Sequence, residues 1–184
     1  STGGDITIAG NITGTDGDEI VTLTDGTGSG TITIGGTIGS TAGNTSNITS
    51  ATLTGGSGIS LGGDITTSTA ATSSVDINGN VTLTADVIID ADQHSGDNVD
   101  FSGTINSDST AARNLTIKTS GGAVIIQGAI GTSNALSALD INTTENASNT
   151  GNITLSETIG SDTAAGAASI SIGNAVTGTL TLGG

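Results

Sequence analysis

The sequence contains no cysteine, proline, tryptophan, tyrosine or methionine, and Phe101 is its only Phe, Tyr or Trp residue. The lack of cysteine excludes a disulfide framework and thiolate metal sites. The lack of proline means that turns must use glycine, asparagine, aspartate and serine. Any core must therefore consist of isoleucine, leucine, valine and alanine, a composition that favours many thin layers over one bulky centre.

Basic residues are equally scarce, because Arg113 and Lys118 are outnumbered by 17 acidic residues and the formal net charge is −15. Such a surface repels phosphate backbones and anionic lipid headgroups, which predicts no nucleic-acid partner. No stretch approaches the roughly 18 apolar residues of a spanning helix, so we expect no membrane insertion. The N-terminal STGGDITI lacks the basic and apolar regions of a signal peptide. We expect either a removed signal or, in preference, an excerpt of a longer protein.

One pattern recurs along the whole chain: two alternating apolar residues, three spacers and a third apolar residue. Successive copies begin 17 to 29 positions apart, a period that is typical of solenoids. The eight copies are Ile6/Ile8/Ile12, Ile32/Ile34/Ile38, Ile59/Leu61/Ile65, Val81/Leu83/Val87, Val99/Phe101/Ile105, Val124/Ile126/Ile130, Ile153/Leu155/Ile159 and Ile170/Ile172/Val176.

Within each copy, the alternation of the first two apolar residues is the signature of a strand with one buried face. The third apolar residue begins a second short strand after a corner. Further alternating pairs precede several copies: Val21/Leu23, Ala51/Leu53, Val75/Ile77, Leu115/Ile117 and Leu139/Ile141. The sequence therefore predicts an all-β chain without helices, a parallel β-helix of about seven to eight rungs. We expect one solenoid segment over residues 1–184, as part of a longer repeat protein or filament.

Three features leave alternatives open. The short intervals that begin at Val81 and Ile153 indicate either compact rungs or a wrong assignment of the repeat register at these two places. The dipeptide Asn78-Gly79 is a hairpin signal, so that an antiparallel sandwich of adhesin type is the rival fold. Neither terminus carries a recognisable cap, and uncapped rungs expose unpaired backbone groups. This predicts further repeats, a capping domain or end-to-end association.

Two acidic clusters are the candidate metal sites, because Ca²⁺ prefers carboxylate and carbonyl oxygens. Their residues are Asp16, Asp18 and Glu19 in TDGDE, and Asp90, Asp92 and Asp97 in IIDADQHSGD. The competing interpretation is that these aspartates cap backbone groups in solvated loops. For His94, the only histidine, we expect a surface position. For Arg113 and Lys118 we expect local pairing with acidic neighbours.

Several runs resemble the β-strand repeats of large bacterial surface proteins of the filamentous haemagglutinin and autotransporter-adhesin kind. They are NLTIKTSGGAVIIQGAIGTSNALSALDI, GGDITTS, GNVTLTADVIID and VDFSGTINSD. The resemblance covers nearly the whole chain and implies a secreted, right-handed parallel β-helix that serves in adhesion, in aggregation or as a stalk. It transfers no functional residues, since that family has no catalytic motif to match. The family's N-terminal secretion domain is not visible in this sequence.

These observations predict an extracellular, cell-surface protein that forms a stiff adhesive fibre or stalk and has no catalytic residues. An alternative is a filament subunit that assembles head to tail, so that the expected partners are further copies, flanking repeats or cell-surface glycans. A second alternative is a carbohydrate-binding or carbohydrate-active β-helix. We do not expect an enzyme, because the sequence contains no GxSxG, P-loop or HExxH motif.

Overall fold

The computed structural model describes residues 3–15, 19–25, 29–39, 48–68, 74–91, 96–142, 151–160, 166–173 and 178–183. Within these ranges the chain forms seventeen short strands and no helix, which confirms the all-β prediction. None of the described segments is a helix that could cross a membrane. The strands are β1 (Ile6–Ile8), β2 (Glu19–Thr24), β3 (Thr31–Ile34), β4 (Ile48–Thr54), β5 (Gly58–Leu61), β6 (Ile65–Thr66), β7 (Ser74–Asn78), β8 (Val81–Leu83), β9 (Val87–Ala91), β10 (Asn98–Phe101), β11 (Ile105–Ser107), β12 (Asn114–Thr119), β13 (Val124–Ile126), β14 (Leu136–Ile141), β15 (Ile153–Leu155), β16 (Ala167–Ile172) and β17 (Leu180–Leu182).

The strands form three parallel sheets. Sheet A has the order β1-β3-β5-β8-β11, sheet B has the order β16-β14-β12-β9-β6, and sheet C has the order β17-β15-β13-β10-β7-β4-β2. Single bridges extend sheet A through Ile130 and Ile159, and sheet B through Ile38 and Ile12. The chain passes through A, B and C in turn and then returns to A one layer further on. This is a parallel β-solenoid, and the seven strands of sheet C mark seven coils, where a coil is one passage through the three sheets.

The rival antiparallel sandwich is wrong, because every described strand pairing is parallel. Strands β7 and β8, which flank Asn78-Gly79, lie in different sheets, so this dipeptide turns a corner instead of closing a hairpin. Gly79 has a φ of 144°, a conformation that favours glycine. Asn78-Gly79 therefore does form a turn, but the turn leads into the next sheet and not into an antiparallel partner strand.

The core consists of inward side chains that stack on their equivalents in the next coil. In sheet C, for example, Leu53 is in register with Ile77, Ile77 with Phe101, Phe101 with Ile126, and Ile126 with Leu155. Phe101 is fully buried, as its place in the apolar alternation predicted. Because each layer contributes only a few aliphatic side chains, a coil buries its core only when neighbouring coils cover it.

The number of sequence repeats exceeds the number of coils because two corners share one spacing. The first four copies cross the corner from sheet A to sheet B, through residues 9–11, 35–37, 62–64 and 84–86. The next three copies cross from sheet C to sheet A, through residues 102–104, 127–129 and 156–158. The short intervals that begin at Val81 and Ile153 are therefore steps of about two thirds of a coil. The repeat register predicted at Val81 and Ile153 was therefore wrong, and these two intervals are not compact rungs.

The corner from sheet B to sheet C contains connectors of more variable length. They comprise residues 13–18, 39–47, 67–73, 92–97, 120–123, 142–152 and 173–179. Connectors at the other two corners of the middle coils are mostly three residues long. Because surface loops lengthen at small entropic cost, one corner can vary while the stacked sheets keep their register.

Glycines form stacked rows at the tight corners, because successive backbones approach each other too closely for a side chain. A Cβ atom on Gly128 would collide with the backbone of Gly103, and one on Gly103 would collide with that of Gly79. Gly63 and Gly36 have the same relation at the corner between sheets A and B. These glycines are therefore required by contact between coils.

We expect Ile126→Asn to destabilise the solenoid strongly, because it places an amide in the aliphatic core and removes the packing of a fully buried side chain. The loss in the free energy of unfolding should be about 3 kcal/mol or more. Hydrogen exchange should accelerate in β10 and β15, which flank the substituted strand. The matched control is Ile125→Asn on the opposite face of the strand, with an expected change of about 0.5 kcal/mol. Equal losses in both variants would contradict the inward assignment of Ile126.

Gly128→Ala should destabilise the chain by about 1–3 kcal/mol, because the added methyl group overlaps the Gly103 backbone in the preceding coil. Gly10→Ala is the control, since a Cβ at Gly10 has no neighbour within 4 Å. Urea unfolding of both variants measures the difference. The contact argument fails if Gly128→Ala is as stable as Gly10→Ala.

Candidate functional site

The structure places half of the predicted metal ligands. Asp16, Asp18 and Asp92 lie outside the described residues, as does His94. Glu19 begins β2, where its Oε1 accepts hydrogen bonds from the Thr15 N–H and hydroxyl groups at 2.7 and 2.9 Å. This contact is the kind of local capping that the competing interpretation predicted.

Asp90 lies in β9, before the connector 92–97, and Asp97 is the last residue of that connector. The Asp90 carboxylate is 3.4 Å from Nζ of Lys118 in the adjacent strand β12. Asp97 is fully buried beside β10, and a Cβ on Gly122 would collide with its backbone. In the parts of the chain that the structure describes, no group of three or more acidic, histidine or cysteine side chains converges on one point. The Ca²⁺ sites predicted at the two clusters stay predictions.

The two basic residues pair locally, as predicted. Lys118 contacts Asp90, and Nη2 of Arg113 lies 3.0 Å from Oδ2 of Asp108. Asp108 also accepts hydrogen bonds from the N–H groups of Thr110 and Ala111, within a turn between β11 and β12. The guanidinium of Arg113, supported by the Ala111 N–H, lowers the pKa of Asp108 from 3.8 to about 2.

The most regular polar feature is a set of Asp and Asn residues that sequence reasoning missed. We call them the corner Asx residues. Each accepts, through Oδ1, a hydrogen bond from the backbone N–H of its structural equivalent one coil later, at 2.7 to 3.1 Å. They are Asp5, Asn11, Asp64, Asn80, Asp86, Asn98 and Asn152, and their donors are Thr31, Thr37, Ile88, Thr104, Asn114, Ala123 and Thr179.

The corner Asx residues had a signal in the sequence. Each one directly precedes the first inward aliphatic residue of its strand, as in Asp5-Ile6, Asn80-Val81 and Asn152-Ile153. The side-chain oxygen supplies an acceptor where the strand pairing begins, and each such bond contributes about 1 kcal/mol or less. They occur at strands of all three sheets, so that every face of the solenoid has side-chain links between coils.

A buried polar contact also links β12 to β14. Asn142 is buried with a φ of 54°, and its Oδ1 accepts from the Thr119 N–H at 2.7 Å. Its Nδ2 donates to Oγ1 of Thr119 at 3.1 Å. The Thr119 hydroxyl in turn donates to the Gly122 carbonyl at 3.2 Å. Asparagine suits this position because it tolerates a positive φ and satisfies both buried partners.

The outward faces of the sheets are largely polar and shallow. Along sheet C, one outward row consists of Thr22, Thr52, Asp76, Asp100, Ile125, Thr154 and Thr181. Gln127 donates to both carboxylate oxygens of Asp100, at 3.0 and 3.3 Å. No pocket is found in the described parts of the solenoid. The accessible surface there consists of exposed strand faces and corners.

We expect the Asp108 carboxyl to titrate near pH 2 in the folded chain, and Arg113→Gln to raise its pKa towards 3.8. Because folding lowers the pKa of Asp108, its ionised carboxylate stabilises the folded chain. This contribution to the free energy of unfolding is fully present above about pH 4 and is lost as the pH falls through about 2. Carboxyl ¹³C NMR of both proteins measures the two pKa values. A wild-type Asp108 that titrates near 3.8, or an unchanged pKa in Arg113→Gln, would contradict the ion pair.

Comparison of the chain with protein-family models, curated protein sequences and solved structures finds no match.

Proposed function

We propose that the chain is a segment of an extracellular fibre or stalk, a stiff spacer that also presents an adhesive surface and carries out no chemistry of its own. The observation that carries this proposal is the uninterrupted seven-stranded sheet C, from β2 to β17. A continuous parallel sheet transmits force from one coil to the next through backbone hydrogen bonds. The fold is thus suited to holding its two ends at a fixed separation.

The links between coils support this mechanical role. Aliphatic columns in the core and backbone bonds in three sheets are supplemented by the corner Asx residues. Each coil therefore contacts the next on every side. Bending or sliding one coil would break bonds on all three faces together, which favours stiffness along the axis.

The surface charge supports a fibre that stays separate from its neighbours along its sides. The chain carries a net charge of −15, and Asp76 and Asp100 are adjacent on the outward face of sheet C. Neighbouring fibres of the same kind would repel each other laterally. Contacts with glycans would instead use neutral hydroxyl and amide side chains, which can both donate and accept hydrogen bonds with sugar hydroxyl groups.

Head-to-tail assembly is a second candidate function, because the last coil has exposed apolar side chains. Ile170, Leu180 and Leu182 are 45%, 44% and 66% exposed. In the first coil, Val21 and Leu23 lie in the same sheet C columns as Leu180 and Leu182. Ile12 lies in the sheet B column that ends at Ile172, two residues after Ile170. A second copy stacked on β16 and β17 would continue both sheets and cover these side chains. We propose such stacking as a means of lengthening the fibre.

Single-molecule force spectroscopy tests the spacer proposal. We expect the chain, pulled from its two ends, to unfold in steps of about one coil. Each coil of roughly 26 residues should release about 9 nm of contour length, at about 3.5 Å per residue. Release of the whole chain in one step at low force would contradict a stiff spacer built from separable coils.

Two controls separate the alternatives. Leu182→Asp should abolish any concentration-dependent lengthening seen by electron microscopy and leave the unfolding steps of the inner coils unchanged.

A glycan array with turnover assays tests the adhesive part of the proposal. Binding without release of sugar supports adhesion, whereas release of new reducing ends would overturn the proposal of a non-catalytic fibre.

A further inference from the structure

Asn78 and Gly79 form the corner between β7 in the third coil and β8 in the fourth. Asn78 is the only asparagine in the sequence that is followed by glycine. Its side chain is exposed and makes no hydrogen bond to any described residue. Asn80 in the same corner is also exposed, but its Oδ1 accepts from the N–H and hydroxyl groups of Thr104, both at 3.1 Å. The amide of Asn78 is thus free in a way that the amide of Asn80 is not.

The backbone N–H of Gly79 is also unpaired, because the row of hydrogen bonds at this corner stops there. In the first coil, the N–H of Asp25 donates to the Thr54 carbonyl at 3.1 Å. One coil later, the N–H of Gly55 donates to the Asn78 carbonyl at 2.9 Å. Gly79 is the next member of this column, and its N–H donates to no described backbone group. Since Gly79 also has no Cβ, no side chain of its own shields this nitrogen.

A free asparagine amide and a free N–H on the following residue are the reactants of deamidation. The Gly79 nitrogen attacks Cγ of Asn78, and a new N–C bond forms while the bond from Cγ to the side-chain nitrogen breaks. That nitrogen takes up the Gly79 proton and leaves as ammonia, so that a five-membered succinimide ring remains. Water then opens the ring. Attack of water at Cγ gives aspartate, and attack at the main-chain carbonyl gives isoaspartate.

We propose that Asn78 is a site of spontaneous deamidation, which weakens the link between the third and fourth coils as the protein ages. In isoaspartate the main chain runs through Cγ, which lengthens the backbone by one atom, and the carbonyl that accepts from the Gly55 N–H becomes a free carboxylate. The corner is closely stacked, because a Cβ on Gly79 would lie 2.4 Å from the Gly55 carbonyl oxygen. Both products also add a negative charge to the outward face that carries Asp76.

The test is to incubate the full chain at neutral pH, folded in buffer and unfolded in guanidinium chloride, and to analyse digested samples by mass spectrometry. Chromatography separates the isoaspartate peptide from the aspartate peptide. We expect Asn78 to react in both samples, more slowly in the folded one, because ring closure requires rotation of the Asn78 main chain at the corner. Asn80 is the matched control and should keep its amide in the folded chain. The proposal is overturned if the folded sample contains no product once Asn78 in the unfolded sample has reacted completely, or if Asn80 reacts as fast as Asn78 in the folded chain.

Thermal unfolding tests the effect on the stack. The isoaspartate form, purified from incubated wild type, should unfold about 2–4 °C below fresh wild type, the shift expected from the loss of one hydrogen bond. Asn78→Gln is the resistant variant, because its longer side chain would have to close a six-membered ring, and it should keep its unfolding temperature through the same incubation. Fresh Asn78→Asp has the added charge on an unchanged backbone and should unfold close to wild type. The weakening is overturned if the isoaspartate form is as stable as fresh wild type, or if Asn78→Gln loses as much stability during incubation as the wild type.

Discussion

The structure depends on backbone hydrogen bonding between parallel strands one coil apart. A single coil has few aliphatic side chains and cannot bury them or pair its strands alone, so its order comes from its neighbours. Stacking in register places equivalent residues above each other, and this repetition creates the aliphatic columns. The same repetition brings any polar group at a corner next to its equivalent in the next coil.

The corners satisfy the constraint that stacking imposes. Where backbones meet closely, as at Gly103 and Gly128, no side chain fits, and glycine is required. Where a strand begins, an Asp or Asn side chain such as Asn98 bonds to the next coil. Three of the eight Asn-x-Ser/Thr sequons, at Asn11, Asn80 and Asn152, are corner Asx residues followed by an inward aliphatic residue and an outward threonine. These sequons follow from the fold and need no glycan to explain them.

Much of this architecture could be predicted from the sequence, because alternation such as Ile6, Ile8 and Ile12 reflects burial directly. The assignment of corners could not. The step from Leu83 to Val87 and the step from Phe101 to Ile105 have the same length, although they cross different corners. Only the pairing of strands distinguishes them. The eight sequence copies therefore do not correspond one to one with the seven coils, whereas the fold class was correct.

The candidate sites show the same limit. The pairing of Arg113 with Asp108 was predictable, because the two residues are five positions apart. Lys118 meets Asp90, 28 positions away, only through the pairing of β12 with β9. The burial of Asp25, which is 5% exposed, was not, since its contacts with Gly3, Thr54 and Gly56 join residues 22 to 31 positions apart in the sequence. In sequence, Asp25 is one more acidic residue in a glycine-rich turn. The corner Asx residues had a local signal, but their donors lie 24 to 28 residues away.

The most direct test of the stacked register is the distance between two spin labels on sheet C. Because the chain has no cysteine of its own, labels can be attached to single introduced cysteines. Labels at Thr22 and Thr154 are separated by five strand spacings, or about 24 Å. Moving the first label to Thr52 removes one spacing, and double electron–electron resonance should record a decrease of about 4.8 Å. A separation that does not shorten by one strand spacing would contradict the parallel solenoid.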